Sequence, residues 1–200
     1  MAIFITGGAR SGKSGFGEAY AMKLSGHGIY IATAQSWDDE MKERTARHRS
    51  MRERSGYRWR TIEEPLALAE LLGELEREQN DGGERPAVLV DCLTLWLTNW
   101  LLRLDAGKQG DGDQDTGTYG ELHAEADKLT AAVAAYTGPL LLVTNEVGSG
   151  IVPAYPLGRR FRDEAGRLNR KLAATCEEAY LVVAGIPLDL KKHAFRLEED

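Results

Sequence analysis

The stretch ITGGARSGKS, residues 5–14, decides the fold. An apolar, β-rich run, AIFIT at 2–6, leads into it, and a helical pattern leaves it from Lys13. From Gly7 to Ser14 the letters follow G-x-x-x-x-G-K-S, in which glycines let successive backbone N–H groups turn inward around phosphate oxygens. The dipole of the helix adds to the positive electrostatic potential of these N–H groups. Lys13 would reach the β and γ phosphates, and Ser14 would hold Mg²⁺. The stretch therefore predicts a phosphate loop between a buried strand and a helix.

The rest of the chain alternates short apolar runs with helical patterns. Buried parallel strands are predicted at 2–6, 28–33, 87–91, 140–145 and 179–185. Helices are predicted near 13–25, 38–55, 64–79, 93–104, 119–137 and 158–176. Such alternation is typical of an α/β fold, with a mostly parallel sheet and helices on both faces. A turn-rich connector at 79–86 and a Gly/Asp-rich loop at 105–120 interrupt the pattern, and no chemistry is expected from that loop.

Bulk properties limit the class of protein. Two hundred residues without a repeat or a clear boundary predict a single domain over 1–200. The formal net charge of −6 argues against a surface that coats nucleic acid. The first residues lack the pattern of a secretory signal, and no apolar run is long enough to span a membrane, so we expect a cytoplasmic protein. Cys92 and Cys176 lack metal-ligand spacing, which favours buried free thiols.

A phosphate loop needs an acidic partner for its metal ion, usually at the end of another buried strand. The run AVLVD, residues 87–91, ends in Asp91, which is the strongest candidate. Asp91 is also placed to cap the helix predicted from residue 93, and the two roles are compatible. We favour a metal or nucleotide ligand.

A dense basic segment follows the second predicted strand. Its cations are Lys42, Arg44, Arg47, Arg49, Arg52, Arg54, Arg58 and Arg60. In a helix, Arg44 and Arg52 share a face with His48, which lies between them. Three interpretations are open: a solvated charged helix, a basic patch for RNA or an acidic partner, and an anion site with a nucleophile. In the third, arginines hold phosphates, and nearby cations keep the His48 imidazole neutral so that it can attack phosphorus.

A third segment, 140–173, begins with the next predicted strand, 140–145. Asn145 and Glu146 fall at the carboxyl end of that strand, where open α/β sheets place their ligands. The helix after them carries Arg159, Arg160, Arg162 and Arg167. These arginines either line the site, reach a neighbouring subunit or form exposed ion pairs that stabilise the protein little.

Together these segments resemble one family, the bifunctional adenosylcobinamide kinase / adenosylcobinamide-phosphate guanylyltransferases of cobalamin biosynthesis. The resemblance is carried by TGGARSGKS (6–14), YIATAQ (30–35), DDEMKER followed by HR (38–49), WRTIEEP (59–65), VLVDCLTLWLTN (88–99), VTNEVGSGIVP (143–153), GRRFRDEAGRLNRKLA (158–173) and LVVAGIPLDLK (181–191). It covers nearly the whole chain, and the presence of both VTNEVGSGIVP and the DDEM segment makes it specific. It implies a P-loop NTPase fold related to RecA and a homotrimeric assembly.

The resemblance also implies two reactions. ATP or GTP, with Mg²⁺, first phosphorylates the aminopropanol hydroxyl of adenosylcobinamide, and Lys13 acts as a catalytic residue. A histidine then attacks the α-phosphorus of GTP, expels pyrophosphate and passes GMP to adenosylcobinamide phosphate, giving adenosylcobinamide-GDP. His48, the only histidine of its predicted helix, takes that role.

The expected ligand contacts follow from these assignments. Ser14 and Asp91 are the expected metal ligands, while Glu63 and Asp91 either accept hydrogen bonds from guanine or ribose or bind Mg²⁺. Carboxylates favour guanine, because adenine would leave them unpaired. The expected nucleotide-binding set is Gly7, Gly8, Ala9, Arg10, Ser11, Gly12, Lys13, Ser14, Ala32, Thr33, Arg49, Ser50, Met51, Arg52, Glu63 and Asp91.

Two other functions stay open. A plain small-molecule P-loop kinase would use the same loop and leave His48 structural. A nucleotide-dependent module that binds nucleic acid through residues 42–60 would show salt-sensitive binding, but the acidic net charge disfavours it. We therefore expect small-molecule partners, no nucleic acid and no membrane span. The sequence departs from the family at Thr45, where an aliphatic residue is usual, and this position touches none of the expected chemistry.

Overall fold

A seven-stranded sheet forms the centre of the protein, seen in a computed structural model that describes residues 1–35, 52, 54–78, 83–106 and 119–195. The strands are β1 (Ala2–Thr6), β2 (His27–Ala32), β3 (Arg58–Glu63), β4 (Ala87–Asp91), β5 (Leu140–Val143), β6 (Glu178–Val183) and β7 (Ile186–Asp189). Their order across the sheet is β3-β2-β4-β5-β1-β6-β7. All neighbours are parallel except β6 and β7, which form an antiparallel hairpin.

Helices cover both faces of this sheet, as predicted. They are α1 (Lys13–Leu24), α2 (Leu68–Glu78), α3 (Leu93–Ala106), α4 (Gly120–Ala135), α5 (Pro156–Thr175) and the short α6 (Leu190–His193). Alternate residues of β1 enter opposite cores, because side chains of a strand alternate between faces. Ile3 and Ile5 pack with α1 on one face, whereas Phe4 belongs to the larger core built from α2 to α5. The run 2–6 is therefore apolar at nearly every position because both of its faces are buried.

Two edge strands and one helix start differ from the prediction. The basic run at 58–60 begins the edge strand β3, and the last predicted strand is followed by β7. Helix α2 begins at Leu68 instead of residue 64, because Pro65 disfavours helical conformation in the residue before it. The Glu64 carboxylate instead accepts hydrogen bonds from the amides of Leu66 and Ala67, at 2.9 and 2.7 Å.

Several predicted segments lie wholly or partly outside the described residues. Of the helix predicted at 38–55, the structure describes Arg52, Arg54 and Ser55, and residues 79–82 and 107–118 of the two predicted loops also fall outside. Both cysteines are free and buried, which confirms that prediction. Within the described part of the chain, no helix has the length and apolar character needed to cross a membrane.

Candidate active site

The phosphate loop lies where the sequence predicts it, between the end of β1 and the first residue of α1. Gly12 precedes the helix with φ 96°, a left-handed conformation that glycine adopts without strain. Gly7 is buried, and a Cβ atom at this position would lie 2.5 Å from the carbonyl oxygen of Val182. Glycine is therefore required at Gly7 for the close approach to β6 and at Gly12 for the backbone turn.

Lys13 folds back across the loop. Its Nζ donates a 3.2 Å hydrogen bond to the carbonyl oxygen of Gly8, and only 8% of the residue is exposed. Burial raises the pKa of the neighbouring Cys92 thiol to about 11, and the positive charge of Lys13 acts against that shift. The buried ammonium group of Lys13 is thus held at the loop, which suits a cation that binds phosphate oxygens.

Neighbouring strands fix the loop from two sides. The amide of Glu146, just after β5, donates to the carbonyl oxygen of Gly7 at 3.1 Å. The amide of Gly185, in the β6–β7 turn, donates to the carbonyl oxygen of Ser11 at 2.8 Å. The curvature of the loop is therefore set partly by contacts distant in sequence.

Three buried polar atoms around the loop have no hydrogen-bond partner within the described parts of the chain: Oγ1 of Thr6, Oγ of Ser11 and Oδ1 of Asn145. Buried polar atoms in folded proteins are nearly always paired, so such a group at a strand edge suits a site completed by ligand or water. Ser11 and Asn145 were expected near the ligand. Thr6 was missed, although a hydroxyl residue that ends an apolar strand directly before the glycines is a visible signal.

Three expected site residues lie in one row across the sheet, although they are far apart in sequence. Ala32 of β2 pairs with Glu63 of β3 on one side and with Asp91 of β4 on the other. The same row continues from Asp91 to Val143 and then to Ile5, shortly before the phosphate loop. Parallel pairing thus brings the two candidate carboxylates to the edge of the sheet that carries the loop.

Asp91 is held by a tyrosine that sequence reasoning missed. The hydroxyl of Tyr30 donates to Oδ2 of Asp91 at 2.9 Å, and burial followed by the Asp91 charge raises the Tyr30 pKa far above its usual value. Helix α3 begins at Leu93, and the carbonyl oxygen of Cys92 accepts from the amides of its first turn. The residue before the helix is therefore Cys92, so the alternative of Asp91 as helix cap is wrong.

The donor set fits a magnesium ion that arrives with nucleotide. Mg²⁺ is commonly held by one or two protein oxygens together with phosphates and water. The half-buried Ser14 supplies a hydroxyl and Asp91 a carboxylate. Among the described residues, no three His, Cys, Asp or Glu side chains form a group that could hold a metal by themselves.

The side chain of Thr33 forms hydrogen bonds within the fold. Its hydroxyl donates to the carbonyl oxygen of Cys92 at 2.7 Å and accepts from the Cys92 amide at 2.9 Å, and the residue is fully buried. The Thr33 carbonyl accepts from Asn99 at 2.8 Å. The hydroxyl thus joins β2 to the start of α3, and the predicted place of Thr33 beside the nucleotide stays a prediction. Ala32, which precedes Thr33, is also buried, with 7% of its surface exposed.

Arg52 is buried, unlike the described arginines that follow it in the basic segment. Only 4% of it is exposed, and its guanidinium carbon lies 3.5 Å from the centroid of the Tyr30 ring. Its Nη1 lies 3.6 Å from Oε1 of Glu18 on α1. Burial, and to a lesser degree the nearby Asp91, raises the Glu18 pKa, while Arg52 opposes that change. The predicted contact of Arg52 with nucleotide stays a prediction, as do those of His48, Arg49, Ser50 and Met51, which lie outside the described residues.

The arginines of α5 mostly bind groups of their own segment. Arg159 donates to the carbonyl oxygens of Pro153 and Ala154, at 3.2 and 2.7 Å, and so braces the loop before the helix. Arg162 pairs with Asp163 at 2.9 Å, and Arg167 with Glu164 at 2.5 Å. The Arg162 pair matches the interpretation as an exposed ion pair, whereas Arg159 binds backbone carbonyls and the Glu164 partner of Arg167 is buried.

Comparison with known proteins places these features in a family. Residues 3–190 match the family described as cobinamide kinase / cobinamide phosphate guanyltransferase. The chain is 43% identical over 191 residues to the bifunctional adenosylcobalamin biosynthesis protein CobP of Pseudomonas aeruginosa, covering 96% of this chain and 98% of that protein. It is also 43% identical over 195 residues to the bifunctional adenosylcobalamin biosynthesis protein CobU of Escherichia coli K12, covering 96% of this chain and 100% of that protein.

Among solved structures, the assembled ATPase EscN of the enteropathogenic E. coli type III secretion system aligns with 96% of this chain and 44% of its own. The TM-score is 0.54 at 12% identity, which shows the fold alone. The predicted RecA-like P-loop NTPase fold is confirmed. Because the family match spans both the phosphate loop and the strand-end residues beside it, the chain belongs to the cobinamide kinase / cobinamide phosphate guanyltransferase family.

Proposed function

We propose that this chain phosphorylates adenosylcobinamide with ATP or GTP and then transfers GMP from GTP to the product through a guanylylated histidine. The observation that carries the proposal is the phosphate loop with Lys13 folded across it, at the same sheet edge as Asp91, in a chain of this family. The proposal treats one loop as the site of two different cleavages of a triphosphate.

In the first reaction the cobinamide hydroxyl forms a bond to the γ-phosphorus of ATP or GTP and loses its proton, the bond from that phosphorus to the β–γ bridging oxygen breaks, and the nucleoside diphosphate leaves. Backbone N–H groups of the loop and the ammonium of Lys13 stabilise the charge that develops on the phosphoryl oxygens. Ser14 and Asp91 would hold Mg²⁺, which would neutralise phosphate charge. Since the Tyr30 hydroxyl occupies Oδ2 of Asp91, the other carboxylate oxygen is the one that we assign to the metal.

In the second reaction an imidazole nitrogen of His48 forms a bond to the α-phosphorus of GTP, and the bond to the pyrophosphate oxygen breaks. The phosphate of the cobinamide product then attacks the same phosphorus, takes the GMP and leaves His48 as free imidazole. The arginines beside His48 in sequence suit this step, because planar guanidinium groups bind phosphate oxygens well.

Guanine recognition is assigned to Glu63. The guanine N1–H and exocyclic amine need an acceptor, and an exposed carboxylate at the end of the edge strand β3 supplies one. This assignment separates the two carboxylates of the row, with Asp91 for the metal and Glu63 for the base or ribose. Ala32 lies between them, while Arg49, Ser50, Met51 and Arg52 are assigned to nucleotide because they follow His48 in sequence.

The test is incubation with GTP labelled at the α-phosphate. We expect protein-bound GMP that is stable to base and labile to acid, absent in His48→Ala and retained in His123→Ala, which changes an exposed histidine of α4. Phosphorylation of adenosylcobinamide is measured separately with ATP. Wild-type protein that phosphorylates cobinamide but never carries GMP would instead be a plain small-molecule kinase.

We also assign a homotrimeric, cytoplasmic state, which follows from the resemblance. Among the described residues, exposed large apolar side chains cluster on the loop before α5 (Ile151, Val152, Tyr155) and on the β6–β7 hairpin (Val183, Ile186, Leu188), while Leu102 and Phe195 are exposed singly. Exposed apolar groups of this kind favour association. Light scattering during size-exclusion chromatography should give three times the 22.0 kDa mass of the chain, and a monomeric mass would contradict the assignment.

A further inference from the structure

A buried ion pair connects the phosphate-loop helix to the segment that carries His48. Glu18 lies on α1, four residues after Ser14, so the two side chains share one face of the helix. Its partner Arg52 lies four residues after His48 in sequence. The pair is thus close in sequence to the proposed metal ligand on one side and to the proposed nucleophile on the other.

The pair is enclosed. Side-chain exposure is 4% for Arg52 and 19% for Glu18, and the guanidinium also packs on the Tyr30 ring at 3.5 Å. Breaking a buried pair leaves an uncompensated charge, which is far costlier than breaking an exposed one. The Arg52 side chain is therefore held firmly against α1 and β2.

The anchoring of Arg52 limits the position of His48. Four residues of fully extended chain span at most about 14 Å, so the His48 backbone stays within that distance of Arg52. Tyr30, the residue beneath the guanidinium, donates to Asp91 at the sheet edge. The anchor point is therefore directly connected to the proposed metal site.

Two N–H donors of the Arg52 guanidinium form no hydrogen bond with any described residue. Nε and Nη1 of Arg52 are buried and form no hydrogen bond within the described ranges. A guanidinium has five N–H donors in a fixed fork, and Glu18 lies at 3.6 Å, longer than a hydrogen bond. With respect to the described residues, the Arg52 guanidinium is thus held by charge and stacking.

From these contacts we infer that Glu18 is a positioning residue for guanylyl transfer. By fixing Arg52 against α1, it sets the distance between His48 and the α-phosphate of a nucleotide in the phosphate loop. The inference rests on the proposed role of His48. It assigns Glu18 no contact with substrate, and it assigns Arg52 an anchoring role in addition to any contact with nucleotide.

The test uses Glu18→Gln in the full chain, with GTP labelled at the α-phosphate, in single-turnover reactions over a range of GTP concentrations. Misplacement of a reacting group by about 1 Å costs up to roughly 100-fold in rate. We expect the rate constant for formation of bound GMP to fall roughly 10-fold to 100-fold, while the GTP concentration for half-maximal rate changes less than about threefold. Glu18→Asp, which keeps the charge, should recover part of the rate.

If Glu18 and Arg52 act as a pair, the losses of rate in their single variants should not add in the double variant. The double variant Glu18→Gln/Arg52→Met should lose no more rate than Arg52→Met alone, because both changes remove one interaction. Arg54→Met, which removes an exposed arginine of the same segment, is the matched control and should form bound GMP at the wild-type rate. Circular dichroism and cobinamide phosphorylation by Glu18→Gln establish that this variant is folded.

Three other results can be distinguished from the expected one. Wild-type protein that forms no bound GMP overturns the proposed function itself. Wild-type labelling with an equal rate constant in Glu18→Gln overturns the positioning role alone. A raised half-maximal GTP concentration with an unchanged rate constant also overturns it, because the pair then serves nucleotide binding.

Discussion

Tyr30 and Asp91 are joined by a 2.9 Å hydrogen bond between adjacent parallel strands, with the phenol donating to Oδ2 of the carboxylate. The bond fixes the orientation of the acid assigned to Mg²⁺. The ring of the same tyrosine supports the Arg52 guanidinium. One residue to which the sequence analysis assigns no role therefore contacts groups of both proposed half-reactions.

Tyr30→Phe should keep the ring and lose this bond. We expect the Mg²⁺ concentration for half-maximal cobinamide phosphorylation to rise several-fold, because Asp91 becomes free to rotate. Stability should fall by about 1.5–3 kcal/mol, as for a hydrogen bond to a charged group. Titration of the kinase rate with Mg²⁺ and urea denaturation measure the two effects.

Tyr57→Phe is the matched control for that variant. Its hydroxyl donates a bond of the same 2.9 Å length to the carbonyl oxygen of Ser25, at the opposite end of β2. We expect some loss of stability and an unchanged Mg²⁺ requirement. If both variants shift the Mg²⁺ requirement equally, the Tyr30 bond has no special role at the metal.

Lys13→Met should abolish most activity without unfolding the protein. Removal of a preorganised positive group from a phosphoryl-transfer site is expected to reduce the kinase rate about 100-fold to 1,000-fold. The exposed Lys23 lies on the same helix, and Lys23→Met should keep wild-type rates. Initial rates of ADP formation with cobinamide provide the measurement, and a fall of less than tenfold in Lys13→Met would contradict the catalytic assignment.

Gly7→Ala should destabilise the protein even without nucleotide. The added methyl would lie 2.5 Å from the Val182 carbonyl oxygen and 2.6 Å from Oγ of Ser11, and the backbone carbonyl cannot move aside cheaply. Overpacking of this kind typically costs about 1–3 kcal/mol. At Gly8 no described atom lies within 4 Å of such a methyl, so urea denaturation of Gly8→Ala should give a clearly smaller loss. Equal losses in the two variants would contradict the close packing of the loop against β6.

The two thiols should make stability fall at alkaline pH. Burial raises the pKa of Cys92 to about 11 and that of Cys176 to about 12, whereas a cysteine in the unfolded chain ionises near pH about 8.5. Above that pH the unfolded state releases protons that the folded state retains, so unfolding becomes more favourable as pH rises towards 11 to 12. The urea midpoint measured from pH 7 to pH 10 should decline.

Cys176→Ala tests the origin of that decline, because Cys176 lies far along the chain from the candidate site residues. The variant should show a shallower dependence of the urea midpoint on pH than the wild type. An identical slope would mean that other groups cause the decline.

The sequence predicts the central strands well because their signal is strong. The run 87–91 is buried on both faces and is apolar up to its terminal acid. The edge strand β3 escapes prediction because one face is solvated and arginines occupy it, which resembles a charged helix as much as a strand. Strand β7 escapes because Pro187 is unusual in strands and tolerated only at an edge.

The residues of the candidate site also fall into two groups, those found from the sequence and those recognised only in the structure. Residues whose role depends on a local backbone pattern, such as Gly7 and Lys13, are found from the motif. Tyr30 and Glu18 are recognised only in three dimensions, because their partners Asp91 and Arg52 are brought close by strand order and helix packing. The structural role of Thr33 is likewise visible only in three dimensions, since its hydroxyl binds Cys92, which is distant in sequence.

An NMR signal from the β6–β7 turn can report on the phosphate loop. Ala184 and Gly185 have φ values of 51° and 80°, as a tight two-residue hairpin requires, and this brings the Gly185 amide to the Ser11 carbonyl. A Cβ atom at Gly12 would lie 3.1 Å from the Gly185 Cα, so turn and loop are in direct contact. The amide proton of Gly185 is therefore a native NMR reporter, whose chemical shift and exchange rate follow the occupancy of the loop without any attached label.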